Sequence, residues 1–352
     1  MKKYFTNFNY EAQLQNKVRS TTLSQKEINR NYEFVYFFME KEPSILINQN
    51  EYSQEYLEHI SSLGLIVPRF QTIDDDVSFW WGRLEDFELE RKLNSKITST
   101  KLAQRLKMCS AETELIFSEK ELQQYINRNS SCKDFFIRLP FSVSGQGCFR
   151  YQKGSKVSKR VKFDEGIIIE PYFQNVENFG CYISPTGEFV RWKNFITNNG
   201  RYIGGRILDG GKPLTDYKAE MMIVLNEYMN LGAKEAIQVD SFSYEDKGVL
   251  KWYPLCEVNY RKTMGMFLVS LIDFSHKGKV SLLIDKKKSK WDGENLFNIK
   301  QKISDISYNQ DNKKGVLLLS PDNIDRLAFA IIDYSDKEEQ TILEHLNQEF
   351  FS

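Results

Sequence analysis

The spacing of hydrophobic residues along the chain switches between two periods, which predicts a fold that mixes helices with strands. Apolar residues at helical spacing mark five segments, at 53–64, 93–108, 118–128, 218–233 and 336–351. Short apolar runs closed by turn residues predict strands at 43–48, 65–70, 135–137, 167–173 and 315–321, and the segment 32–40 is strand-like or buried. Two turns, PTGE and NNGR, predict an antiparallel meander between residues 181 and 208.

Polar side chains of three kinds lie close together near the end of a predicted hairpin. Strand side chains alternate between two faces, so Glu257, Asn259 and Arg261 leave the backbone on the same side. Magnesium in proteins is bound by oxygen ligands, commonly one or two carboxylates together with substrate phosphates. With Asp240 as a second carboxylate, this set suggests a magnesium phosphate site. The alternative is an ordinary hairpin with charges on its wet face, and the residues alone leave both open.

The position of Asp240 depends on how the hairpin is paired. An ideal hairpin that turns at residues 245–248 places Asp240 opposite Tyr253. Proline has no N–H for the hydrogen-bond ladder, so Pro254 is a natural place for a bulge. A bulge there would shorten the offset between Asp240 and Glu257.

A second group of residues has the character of a phosphate-binding loop. A strand at 135–137 leads to Arg138 and then to a loop that contains Ser142, Ser144, Gly145, Gln146 and Gly147. Glycine lets backbone N–H groups approach an anion closely, and serine adds hydroxyl donors. The basic run 151–166 that follows favours a solvated hairpin edge over a nucleic-acid patch, and closure over a bound nucleotide is a third interpretation.

Four segments, in this order along the chain, resemble the ATP-grasp superfamily: LNSK at 93–96, FFIRLPFSVSGQG at 135–147, IIIEPYF at 167–173 and the strands from Asp240 to Arg261. The resemblance covers about half of the chain, from 93 to 268. It implies nucleotide binding by Lys96, Arg138, the loop 142–147, a hinge at Glu170, Tyr172 and Phe173, and either Glu177 or Asn178 at the ribose. It also places Asp240, Glu257 and Asn259 on the magnesium positions. The family usually has lysine where this chain has Arg138, a permanently charged and bulkier group.

The resemblance also implies an architecture. We expect an α+β protein with the ATP-grasp fold, in which two α+β subdomains, 93–165 and 166–268, hold ATP between them. Residues 1–92 are expected to form an α/β domain that precedes this core. Residues 269–352 are expected to form a small α/β extension.

Composition narrows the class of protein without selecting one function. Lysine plus arginine equals aspartate plus glutamate at 48 each, so no basic field calls for nucleic acid. The five cysteines are odd in number and include no CxxC pair, which indicates reduced thiols and no zinc site. No apolar run reaches the roughly 18 residues of a membrane span, and the N-terminus has no signal-peptide core. We therefore expect a cytoplasmic protein that binds neither membranes nor nucleic acid.

The function expected from these features is an ATP-dependent carboxylate-amine ligase with ATP and Mg²⁺. Arg261 is the expected cation at the transferred phosphoryl group. Arg206 is a second candidate, because Gly204 and Gly205 allow close backbone approach, although it could equally be one of several surface cations on an exposed sheet. The substrates would be small-molecule or peptide carboxylates and amines, and the oligomeric state is left open, a homodimer included. The alternatives are a small-molecule kinase on the same scaffold and a nucleotide-binding regulatory protein with little turnover.

Overall fold

The computed structural model describes residues 1–16, 23–72, 77–142, 147–156, 158, 161–197, 200–208, 214–291 and 293–351. Their strands form one parallel and two antiparallel sheets. None of the helices in these residues has both the length and the apolar composition needed to cross a bilayer.

The N-terminal block is a parallel sheet in the order β3-β2-β1-β4, packed against helices. Its elements are β1 (Lys2–Phe5), α1 (Tyr10–Asn16), α2 (Leu23–Tyr32), α3 (Val35–Met39), β2 (Ser44–Ile47), α4 (Gln54–Ser62), β3 (Arg69–Gln71) and β4 (Ser78–Phe79). The Ser53 side chain caps α4, and Gly64 closes it with a positive φ of 77°. The predicted strand-like or buried segment 32–40 contains the buried helix α3.

A small antiparallel sheet follows, in the order β5-β8-β6-β7. Its elements are β5 (Glu114–Ile116), α7 (Glu119–Arg128), β6 (Asp134–Arg138), β7 (Cys148–Gln152) and β8 (Ile167–Pro171), and α5 (Phe87–Leu93) and α6 (Lys96–Leu106) precede it. The predicted limit between subdomains, at 165/166, would separate β8 from this sheet, yet β8 pairs with both β5 and β6.

The large sheet has eight strands in the order β13-β12-β9-β10-β11-β14-β16-β15, with antiparallel pairing throughout. Its elements are β9 (Gln174–Ile183), β10 (Phe189–Ile196), β11 (Tyr202–Ile207), α8 (Leu214–Asn230), β12 (Ile237–Asp246), β13 (Val249–Asn259), α9 (Met264–Ser270), β14 (Val280–Lys286), α10 (Leu296–Lys302), β15 (Gly315–Leu318), β16 (Arg326–Ile332) and α11 (Asp336–Phe350), with short 3₁₀ turns at 271–274, 289–291 and 304–306.

The residues expected to form a C-terminal extension continue this sheet. Strand β14 pairs with β11, and a Cβ on Gly204 would overlap the carbonyl oxygen of Leu282. Glycine at this position therefore permits the close approach of the two strands. The predicted boundary at 268/269 falls inside α9.

The β12–β13 hairpin contains the bulge that Pro254 predicted. Lys247 and Gly248 form the turn with φ values of 54° and 78°. Phe242 pairs with Tyr253, but two residues earlier Asp240 pairs with Glu257, so β13 carries two extra residues over this interval. The bulge is confirmed, and it places the two carboxylates on opposite members of a cross-strand pair.

Glu33, at the end of α2, is a fully buried carboxylate that organises the N-terminal block. It accepts hydrogen bonds from the Tyr52 hydroxyl at 2.8 Å and the Gln49 backbone N–H at 2.9 Å. Burial raises its pKa from 4.5 to about 7 in spite of these donors. Between pH 4.5 and pH 7 the folded protein therefore keeps a proton on Glu33 that the unfolded chain has lost.

We predict that this group makes the wild type less stable as the pH rises. A raised folded-state pKa contributes stability that is complete below pH 4.5 and is lost above pH 7, at most about 3 kcal/mol. The excess stability of the wild type over Glu33→Gln, measured by denaturant unfolding, should fall between pH 5 and pH 8. Exposed Glu42→Gln is the control and should follow the wild type. An identical pH slope in Glu33→Gln would contradict the prediction.

Candidate functional site

Three of the predicted site residues lie together on one face of the β12–β13 pair. Asp240 is opposite Glu257, and the side-chain nitrogen of Asn259 donates to Asp240 Oδ2 at 3.0 Å. Burial, and then the charge of Glu257, raise the pKa of Asp240 to about 7. Two carboxylates held this close favour a cation between them.

Gln238 belongs to the same group, although sequence reasoning did not select it. Its Nε2 donates to Asp240 Oδ1 at 2.8 Å, and its Oε1 accepts from the Thr263 hydroxyl, which also caps α9. Both oxygens of Asp240 are thus oriented by amides. The available signal was spacing, because Gln238 stands two residues before Asp240 and so shares its face.

Lys96, the first residue of α6, is buried and paired with Glu257 at 2.7 Å. Its ammonium also donates to the Ser142 carbonyl at 3.4 Å. Although burial opposes the charge, the pair with Glu257 raises the pKa of Lys96. The structure thus joins the predicted phosphate cation, the predicted phosphate loop and the predicted metal ligand at one place.

The start of the predicted phosphate loop has an unsatisfied donor. The Ser142 hydroxyl is buried without a hydrogen bond of good geometry, although it interacts with the neighbouring Cys148 thiol, and a Cβ on Gly147 would lie 2.5 Å from Ser142 Cβ. Only glycine leaves the backbone this close to the serine. Ser144, Gly145 and Gln146 lie outside the described residues. A thiol is a weak acceptor, so this buried hydroxyl can donate to a ligand oxygen at this point.

Arg138 and Glu170 form a second buried pair, where the small sheet meets the large one. Arg138 Nε lies 3.3 Å from Glu170, and its Nη1 donates to the Cys256 carbonyl at 2.7 Å. Although burial opposes its charge, Glu170 raises the pKa of Arg138 well above the usual range. Glu170 also accepts from the hydroxyls of Tyr253 at 2.7 Å and Thr113 at 2.9 Å. The side chains of these two predicted site residues therefore hold the sheets together.

The predicted hinge leads from the small sheet into the large one. Tyr172 is exposed, with its N–H bonded to the Asp134 carbonyl, and Phe173 packs against Tyr244. Of the two ribose candidates, Asn178 lies on the Asp240 face, because Asp240 pairs with Gly180 and side chains alternate. Glu177 lies on the opposite face, in an ion pair with Lys193 at 2.6 Å.

The two predicted catalytic arginines occupy different places. Arg261 follows Asn259 and is held by Glu11 and by the Lys262 carbonyl. Burial lowers its pKa to about 10, so it stays charged at neutral pH.

The prediction for Arg206 requires correction. Asp240, Gly180, Trp192 and Ile207 form one row across four strands, so the neighbouring Arg206 points to the other face. There it pairs with Asp336 and Glu339 of α11.

Asn94 clamps the backbone between Asn259 and Arg261, and sequence reasoning did not select it. Its Oδ1 accepts from the Tyr260 N–H at 2.9 Å, and its Nδ2 donates to the Tyr260 carbonyl at 3.2 Å. Nδ2 also lies 3.2 Å from the Tyr10 hydroxyl. This side chain links the start of α6 to the end of β13.

Comparison with known proteins finds relatives at the level of structure. No family model matches the sequence, and no curated protein matches it. N5-carboxyaminoimidazole ribonucleotide synthetase from Thermus thermophilus superposes with a TM-score of 0.55 at 10% identity, over 99% of this chain and 98% of that one. An ADP complex of the same type of enzyme, PurK, gives 0.54 at 11% identity, over 99% and 97%. Pyruvate carboxylase from Rhizobium etli gives 0.53 at 10% identity, over 99% of this chain and 37% of that one.

The chain has the ATP-grasp fold. The neighbours of the synthetase type match it along almost its whole length, so the N-terminal and C-terminal parts belong to the same architecture as the core. The fold predicted from four short segments is therefore confirmed.

The chemistry of Asp240, Glu257 and Asn259 would suit magnesium. In the described part of the chain there is no cluster of three or more His, Cys, Asp or Glu side chains suited to a metal. Two carboxylates and an amide remain, and magnesium completes such a set with water and substrate phosphates. Asn259 gives its nitrogen to Asp240 and so has its oxygen left for a cation.

We predict that Asn94→Ala weakens magnesium-dependent ATP binding without unfolding the protein. Loss of both hydrogen bonds to Tyr260 should release Asn259 and Arg261, and partners that orient metal ligands typically contribute about 10- to 100-fold in affinity. Calorimetric titration at varied Mg²⁺ measures the effect. Asn129→Ala, which removes a side-chain bond to the Tyr125 carbonyl on α7, is the matched control. If the ATP affinity of Asn94→Ala depends on Mg²⁺ as that of the wild type does, Asn94 does not position the metal ligands.

Proposed function

We propose that the protein is an ATP-dependent carboxylate-amine ligase that uses Mg²⁺. The observation that carries this proposal is the meeting of Lys96 with Glu257, beside Asp240 and Asn259, on an ATP-grasp scaffold. The proposed phosphate cation and the proposed metal-binding pair are thus neighbours. Phosphoryl transfer requires this kind of electrostatic arrangement more than any covalent group from the protein.

Each residue has a proposed part in holding the nucleotide. Lys96 and the Ser142 hydroxyl would bind phosphate oxygens, whereas Arg138 would stay in its buried pair with Glu170. Asp240, Glu257 and Asn259 would hold Mg²⁺, which when bound neutralises charge on the transferred phosphoryl group. On binding, Lys96 would exchange Glu257 for a phosphate oxygen, and Glu257 would gain Mg²⁺. Each charge would then keep a partner, which offsets the free-energy cost of separating the Lys96–Glu257 pair.

The proposed reaction has two steps. A carboxylate oxygen of the acid attacks the γ-phosphorus of ATP, and ADP leaves. The amine then attacks the acyl carbon, phosphate leaves, and the amine nitrogen loses a proton. Arg261, which is paired with Glu11 just beyond the end of β13, would stabilise negative charge on the phosphoryl group.

Further support comes from the neighbours and from the cysteines. Neighbours of the synthetase type have been solved with ADP and with ATP. Their own substrates are not carried over, because identity near 10% shows only the fold. We also propose a cytoplasmic location, where thiols stay reduced; all five cysteines are free in the structure.

We predict that hydroxylamine, offered in place of the native amine, traps a hydroxamate while ADP and phosphate appear. The assay screens amino acids, small peptides and dicarboxylates with Mg-ATP. Glu257→Gln and Asn259→Ala should each lower the rate by about 100-fold or more, because they remove metal ligands.

Exposed Glu42→Gln should keep the wild-type rate and serves as the control. A stable phosphoester without any hydroxamate would show that the protein is a small-molecule kinase and would contradict the ligase function. ATP binding with no turnover for any acid would favour the regulatory protein.

A further inference from the structure

A cleft of about 640 Å³ opens beside the metal-binding pair. It lies between the loop after β4, with Trp80 and Trp81, and the end of β13, with Tyr260 to Lys262; α9 contributes Met266. This volume suits a small-molecule ligand. Residue 260 directly follows Asn259, so whatever occupies the cleft lies next to the proposed metal site.

The cations of this cleft differ in whether a carboxylate already neutralises them. Arg261 is paired with Glu11, and Arg83 is paired with Glu235. Lys262 forms no ion pair with any residue in the described ranges. Its ammonium lies 4.9 Å from the centre of the Trp80 ring. Lys234 also lines the cleft and forms no ion pair with the described residues, but its side chain is exposed to solvent. Lys262 is thus the half-buried cation of the cleft that has charge to offer to a ligand.

Lys262 is also held in place before any ligand arrives. Its N–H donates to the Trp81 carbonyl at 2.9 Å, and its own carbonyl accepts from Arg261 at 2.9 Å. Trp80, beneath the ammonium, donates its indole N–H to Glu40 at 3.0 Å. A fixed cation on an aromatic face forms a cation–π contact and needs little reorganisation to bind an anion.

The environment of this lysine disfavours an uncompensated charge. Burial lowers the pKa of Lys262 to about 8, with Glu40 opposing and Arg83 adding to the effect. An anion in the cleft would supply the missing compensation. The apolar groups of Met39, Met266 and Val269 on the same cleft offer a surface for the uncharged part of such a molecule.

We infer that the cleft binds the acid substrate, with Lys262 as the charge partner of an oxyanion group of that acid and the apolar wall as the site of its body. This inference rests on the proposed function and adds the substrate class: a carboxylic acid with an apolar portion. It makes Lys262 a specificity residue, separate from the groups that hold ATP and Mg²⁺.

The test compares charged and neutral probes of one shape. Benzoate, N-acetylphenylalanine and succinate are titrated against the full-length protein by tryptophan fluorescence, with benzamide as the neutral counterpart of benzoate. The wild type should prefer benzoate to benzamide, and Lys262→Met should lose about tenfold in benzoate affinity while binding benzamide as before. Lys262→Arg should retain the preference. Exposed Lys120→Met, on α7, carries the same charge change far from the cleft and should behave as the wild type.

Equal affinity of the wild type for benzoate and benzamide overturns the inference, as does a benzoate preference that survives in Lys262→Met. Failure of all three acids to bind at millimolar concentration also overturns it. The melting shift produced by Mg-ATP is measured on the same samples. If Mg-ATP shifts the melting temperature but no acid binds, only this inference is refuted. If an acid binds but Mg-ATP causes no shift, the proposed function is refuted and the cleft remains an anion-binding site.

Discussion

The bulge in β13 is the constraint on which the rest of the site depends. It shifts the pairing so that Glu257 faces Asp240, and it frees backbone groups that other parts of the molecule use. The Leu255 N–H bonds the Met108 carbonyl beyond the end of α6, and the Cys256 carbonyl accepts from Arg138 of the small sheet. A regular ladder would use these groups between strands. One local irregularity therefore connects the hairpin, the segment after α6 and the small sheet.

Two buried ion pairs lie beside this bulge, and their exposure separates their roles. In the Arg138–Glu170 pair both side chains are 3% exposed, and they form three further hydrogen bonds, although Arg138 Nε itself has no hydrogen-bond partner. Removing one partner of such a pair typically costs about 3–5 kcal/mol, so this pair is a structural junction. In the Lys96–Glu257 pair the glutamate is 20% exposed. A cation could therefore bind Glu257 and a phosphate could bind Lys96, so that each charge has its own partner.

The sequence predicted the local parts of this site well and the long-range parts poorly. Alternation along β13 was enough to group Glu257 with Asn259, and the missing N–H of Pro254 was enough to predict the bulge. The contact between Lys96 and Glu257 joins residues 161 positions apart, and no local pattern encodes it. The prediction for Arg206 was wrong for a related reason. The face of Arg206 depends on the register of three neighbouring strand pairs, whereas Gly204 serves the approach of β14 and Gly205 lies against the Lys193 carbonyl of β10. Asn94 acts through the backbone of Tyr260, a role that carries no sequence signature.

The most direct measurement of the central claim is the affinity for ATP with and without magnesium, by calorimetric titration of the wild type and Glu257→Gln. If the β12–β13 pair holds the metal, Mg²⁺ should tighten ATP binding to the wild type by about tenfold or more. Glu257→Gln should lose that gain and should bind metal-free ATP at least as well as the wild type, because Lys96 is released from its partner. A variant that keeps the full magnesium gain would contradict the account and place the metal elsewhere.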